Sequence, residues 1–139
     1  MRAKDFMLRP QTLELRLENK MAERDRLKAL ATTMTAGAGG ERVKSSGDLR
    51  KMSTAMDRVV DMEREIDGLI DQIVDAKEEI TRVIEQLSAT EYDVLHKRYI
   101  QGAKYEQIAA KWGREYSWAT TVHGRALKHV QEIIDTEGL

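Results

Sequence analysis

The chain has 139 residues, 34% of them charged and only 5% aromatic, with a formal net charge of −1. That is too little apolar matter for a large globular core, but it suits amphipathic helices, which bury a stripe. With no cysteine, disulfides and thiolate metal sites are excluded, and no run approaches the roughly 20 apolar residues of a membrane span.

A single proline leaves almost nothing to interrupt helix, and the opening "MRAKDFMLRP" holds no signal-peptide core. The expectation is an all-α protein of the cytoplasm, without a membrane partner. The first helix is expected from about Pro10, a residue suited to a first helical position, to about Thr32. Leu13, Leu17, Met21, Leu27 and Leu30 give it a loose apolar face, and "KDFML" upstream reads as a short turn. Residues 32–48, "TTMTAGAGGERVKSSGD", read as a flexible loop. There Gly37, Gly39 and Gly40 end the first helix, and Ser45, Ser46 or Asp48 caps the next.

Positions 49, 52, 56, 59, 63, 66, 70, 73, 77, 80, 84 and 87 then alternate by three and four, and ten of these twelve are apolar. This heptad period predicts one helix of about 40 residues, close to 60 Å long. Glu63 and Lys77 inside the stripe read as residues that set register at some loss of stability. Residues 1–47 carry ten Lys/Arg against six Asp/Glu, and residues 48–87 carry six against eleven. Opposite charges so placed favour an antiparallel hairpin of the two helices. The part of the second helix beyond the first is expected to dimerise or to pack on the C-terminal block. Residues 1–87 thus read as an oligomerising helical hairpin or coiled coil, and 88–139 as a separate domain.

"SATE" at 88–91 is a capping box, with Ser88 as cap and Glu91 reaching back. Tyr92, Leu95, His96 and Tyr99 form an apolar face, and Gly102 ends that helix. A short helix from Lys104 to Trp112 turns Ile108, Ala109 and Trp112 inward and stops at Gly113. Ser117 opens a third helix whose inward positions are Ala119, Val122, Ala126, Val130 and Ile133 or Ile134. Two short helices joined by a glycine-bearing turn make a helix-turn-helix, and Ala109 suits a steep crossing because it is small. Residues 97–130 hold seven basic side chains and only Glu106 and Glu115 as acids, a local balance of +5 despite the near-neutral total.

Leu95, Arg98, Tyr99, Gly102, Tyr105, Ile108, Ala109, Gly113, Ser117, Thr120, Arg125 and Ala126 together resemble region four of bacterial sigma factors and its phage-encoded relatives. With the long N-terminal helices, the Gly/Ser loop and "HGRAL", the chain is similar to the ArpU and RinA late-gene regulators of phages and prophages. Such proteins usually place one residue between the glycine and the serine. Here Arg114, Glu115 and Tyr116 intervene, which leaves the start of the recognition helix open.

The resemblance implies a dimeric, sequence-specific regulator of phage genes that binds double-stranded DNA. Helix 117–134 would lie in the major groove. Ser117, Trp118, Thr120 and Thr121 are candidates for the base edges, and Arg114 in the turn for direct readout. Lys104, Tyr105, Lys111, Arg125 and Lys128 are candidates along the backbone, the cations on phosphates. Trp118 has a second reading as core, and Arg125 one as partner to a carboxylate of the long helix. Two further functions fit the pattern: a co-regulator docked on host RNA polymerase without base readout, and a small-terminase-like DNA-packaging component. No phosphate-cradling loop or paired carboxylates point to catalysis, so no enzyme activity and no cofactor are expected. His123 and His129, six apart, suit no metal.

Overall fold

The structure, a computed structural model, describes residues 1–36 and 46–139, with all their side chains except those of residues 34–36, 46 and 48. Among the described residues it is all-helical: α1 (Ala3–Ala36), α2 (Ser46–Ile84), α3 (Ala89–Leu95), α4 (Tyr105–Lys111) and α5 (Tyr116–Glu137). α3 runs on into a π-helical turn, His96–Ile100. The glycines and caps expected between Gly37 and Asp48 lie outside the described residues. No described helix is long and apolar enough to cross a membrane.

α1 begins at Ala3, seven residues before Pro10, so "KDFML" is helix and not a turn. Pro10 sits two turns in and is fully buried. Its ring nitrogen cannot donate to the carbonyl of Phe6, a loss of order 3 kcal/mol in a helix interior. Burial of Phe6 and Met7, both 0% exposed, offsets it, since each such side chain contributes about 1.5–3 kcal/mol. The first amide of α1 is satisfied from outside the helix: Ala3 donates to Gln131 Oε1 at 2.7 Å.

α2 is the long helix that the heptads require, ending at Ile84, three residues before the expected end. The apolar face it buries matches the expected one at Val59, Ile66, Ile73, Ile80 and Ile84 and departs from it elsewhere. Val59, Met62, Ile66, Ile73, Ala76, Ile80 and Val83 are buried, whereas Leu49, Met56 and Ile70 are exposed. The row 52, 59, 66, 73 and 80 has two possible neighbours. One holds Met56, Glu63, Ile70 and Lys77, and the other Ala55, Met62, Leu69, Ala76 and Val83. The second contains no charge, and burying Glu63 or Lys77 would cost desolvation that Met62 and Ala76 do not incur. Glu63 instead lies on the flank, where its carboxylate accepts Lys28 Nζ at 2.9 Å.

The described residues form two compact units. Residues 1–13 and 72–139 make one, residues 14–71 the other, so the division passes through both long helices and not at residue 87. In the smaller unit, Lys20 meets Glu65 at 3.2 Å and Lys28 meets Glu63, joining basic α1 to acidic α2. In the larger unit Arg9 meets Glu79 at 3.0 Å. There Phe6 and Met7 of α1, Ile80, Val83 and Ile84 of α2, Leu95 and Tyr99, and Ala126, Val130 and Ile134 of α5 share one core. The end of α2, expected either to dimerise or to pack on the C-terminal block, packs on that block.

Candidate nucleic-acid interface

Each end of the short helices is set by a local device. Ser88 accepts the Glu91 amide at 3.3 Å and donates its hydroxyl to Glu91 Oε1 at 3.0 Å, so the cap forms as expected. α3 and its π turn close at Gly102, whose φ of 71° lets Ala103 donate to the Lys97 carbonyl at 2.9 Å. α4 ends on a Schellman turn. Gly113, φ 65°, donates to Ala110, and Arg114 donates to Ala109 at 2.9 Å. Ala109 is 1% exposed and Ala119 of α5 is 0% exposed, so α4 and α5 pack with methyl-sized side chains inward.

α5 starts at Tyr116, after Glu115 in extended conformation, so Ser117 is not its cap. The three residues after Gly113 complete the turn with extended backbone at Glu115, and the helix is already under way when Ser117 is reached. Ser117 lies in the first turn, where its carbonyl accepts the Thr120 hydroxyl at 3.0 Å. The buried stripe of α5 is Ala119, Val122, Ala126, Val130 and Ile134, as the spacing predicts, with Ile134 rather than Ile133 fully inward. Trp112 was expected inward, yet it is 41% exposed. It ends α4 outside the helical register, and its indole Nε1 donates to Asp93 Oδ2 at 2.6 Å. Lys97 is bonded to the same carboxylate.

The outward face of α5 carries Ser117, Thr121, Gly124 and Lys128 at spacings of four, three and four, with Arg125 beside them, all exposed. Trp118 and Thr120 are half-buried. Trp118 packs on the small core of Val94, Ile108 and Val122, so the second reading of this residue describes its position. Arg114 sits with its guanidinium 6.0 Å from the Trp118 ring. Lys104, Lys111 and Arg114 are exposed on α4 and the turn, and Tyr105 is half-buried under Arg98, 4.3 Å from its ring. Among the described residues Lys104, Lys111, Arg114 and Lys128 enter no ion pair. Arg125 Nε lies 3.6 Å from a carboxylate, that of Glu91 on α3 and not one on the long helix. Between Tyr116 and Gln131 α5 contains no acid.

Three polar links under this face have no counterpart in the expected site. Glu91, 5% exposed, accepts from Ser88 and lies 2.5 Å from His129 Nδ1, which ties the start of α3 to the middle of α5. Tyr99 hydroxyl and His123 Nε2 are 2.6 Å apart. Burial pushes the Tyr99 hydroxyl up to about 12, with Tyr105 adding to the rise. Burial, then Arg98 and Lys4, hold the His123 imidazole below its ordinary value. Burial opposes the ionised form of Asp93, but the hydrogen bonds from Lys97 and Trp112 outweigh it and hold that carboxyl below the usual range. His and acid positions at these spacings are visible in the sequence, but their partners are set by helix packing.

No family model, curated protein or solved structure matches this chain. The likeness to sigma region four therefore rests on the motif residues alone.

Proposed function

We infer that the chain is a sequence-specific DNA-binding regulator of phage or prophage genes, acting as a dimer. Residues 105–137 serve as a helix-turn-helix that lays the start of α5 in the major groove. The observation that carries this reading is the acid-free outward face of α5. Ser117, Thr121 and Gly124 present small groups where a groove floor would lie, Arg125 and Lys128 are exposed on the same helix, and Lys104, Lys111 and Arg114 are exposed on α4 and the turn. Thr121 offers a hydroxyl and a methyl to base edges, while the cations supply phosphate contacts and hence salt dependence.

The test is a mobility-shift titration on phage DNA repeated across salt concentrations. A steep negative dependence of log affinity on log salt is expected. Changing Arg125 and Lys128 to glutamate should weaken binding about a hundredfold or more and flatten the slope by roughly two contacts. Salt-independent or absent binding would remove the reading.

A second reading, docking on RNA polymerase, is favoured by the exposed rings of Trp112 and Tyr116, since aromatic side chains anchor protein interfaces. Retention of polymerase by the Arg125→Glu, Lys128→Glu variant, with DNA binding lost, separates that role from the first.

A further inference from the structure

Three apolar positions of the expected seam that the structure leaves outside, Leu49, Met56 and Ile70, belong to a stripe that is still patterned. Leu49, Met56, Val60 and Ile70 are all 44–50% exposed, and with Ser53, Glu63 and Asp67 they fall on one heptad stripe. Along one edge of that stripe, at strict intervals of seven, stand Arg50, Asp57, Arg64 and Asp71. Their signs alternate, all four are exposed, and among the described residues none of them is paired within the chain. The other edge of the stripe is occupied by the buried row Val59, Ile66 and Ile73.

We propose that this stripe is the docking surface for α2 of a second copy, running antiparallel, with the two-fold axis between Val60 and Asp61. The charge row decides the orientation. In that register Arg50 of one copy faces Asp71 of the other, and Asp57 faces Arg64, so four ion pairs form and no like charges meet. A parallel, in-register pair would instead turn this row toward the opposite edge of the partner's stripe, the side of Val59, Ile66 and Ile73, where it meets no opposite charge. Val60 lies beside the axis in both copies, and Ser53 comes opposite Gly68, between Asp67 and Ile70. Glu63, held outward by Lys28, and Asp67 lower the strength of the seam but fix its register, as polar residues in coiled coils do. The proposal gives the dimer of the preceding section a defined surface, and it is tested without DNA, so that its failure and that of DNA binding are read separately.

The experiment uses the full chain in sedimentation velocity over a concentration series. The parent chain is expected to dimerise. Asp57→Arg and Arg64→Asp should each weaken self-association by about tenfold or more, and the double swap should restore it, because the pair is re-formed with its signs exchanged. Circular dichroism identifies any variant that fails to fold. Orientation is read by cross-linking, which the absence of cysteine makes unambiguous. Val60→Cys, beside the axis, should form a disulfide dimer on oxidation. Leu49→Cys should not, because the two positions 49 lie about 35 Å apart. A parent chain that stays monomeric, a double swap that stays weak, or Leu49→Cys cross-linking as readily as Val60→Cys would each overturn the proposal.

Discussion

His123 illustrates how one side chain couples the site to its support. It stands on α5, bonded to Tyr99 in the core, with Tyr105 edge-on at 5.4 Å between ring centroids. Its folded-state pKa is lowered, so below its ordinary value of 6.5 the unfolded chain binds a proton that the folded chain resists. Stability is therefore full above about pH 6.5 and declines as pH falls from there toward the folded value. Urea midpoints measured between pH 8 and 5 should fall on acidification, and His123→Gln should remove part of that slope. An unchanged slope in the variant would show that His123 is not the group responsible. None of this was visible from the sequence, where His123 is one polar residue in an amphipathic run. The same holds for Glu91, which reads as a capping-box acid and proves to be the buried anchor for His129.

At the scale of the element, α4 and α5 are the best-read part of the chain. Ala109, Gly113 and the inward stripe of α5 followed from side-chain size, left-handed backbone and helical period, all of which are local. What failed there were the helix start at Ser117 and the inward placing of Trp112, because both depend on how the turn closes. Gly124 allows the proposed interface to be tested against helix stability. It is exposed in mid-helix, its φ is not in the left-handed region, and nothing lies within 4 Å of where a Cβ would stand. Packing within the chain therefore does not require glycine there. Gly124→Ala should raise stability by about 1 kcal/mol, read as a higher Tm. If α5 lies close in the groove, the same change should lower DNA affinity. A variant that is more stable and binds equally well would show that this face does not approach DNA closely.

At the scale of the whole molecule, residues far apart in sequence share one core. Phe6 and Met7 are buried with Leu95, Tyr99, Val130 and Ile134, so the block 88–139 does not close its own hydrophobic surface. Phe6→Ala should cost about 3–5 kcal/mol in chemical denaturation. An isolated 88–139 fragment should show lower helicity and no cooperative melt by circular dichroism. A cooperative melt in that fragment would show that the N-terminal helices are dispensable to it. By itself the sequence determined what is periodic and local: the all-helical class, the length of α2, the Ser88 cap, the stops at Gly102 and Gly113, and the buried side of α5. Tertiary structure alone decided which of two apolar rows on α2 is covered, why Pro10 is tolerated inside α1, and which carboxylate meets which histidine. Helical period and steric limits act within a few residues, whereas the choice between competing burials depends on surfaces that only the assembled helices bring together.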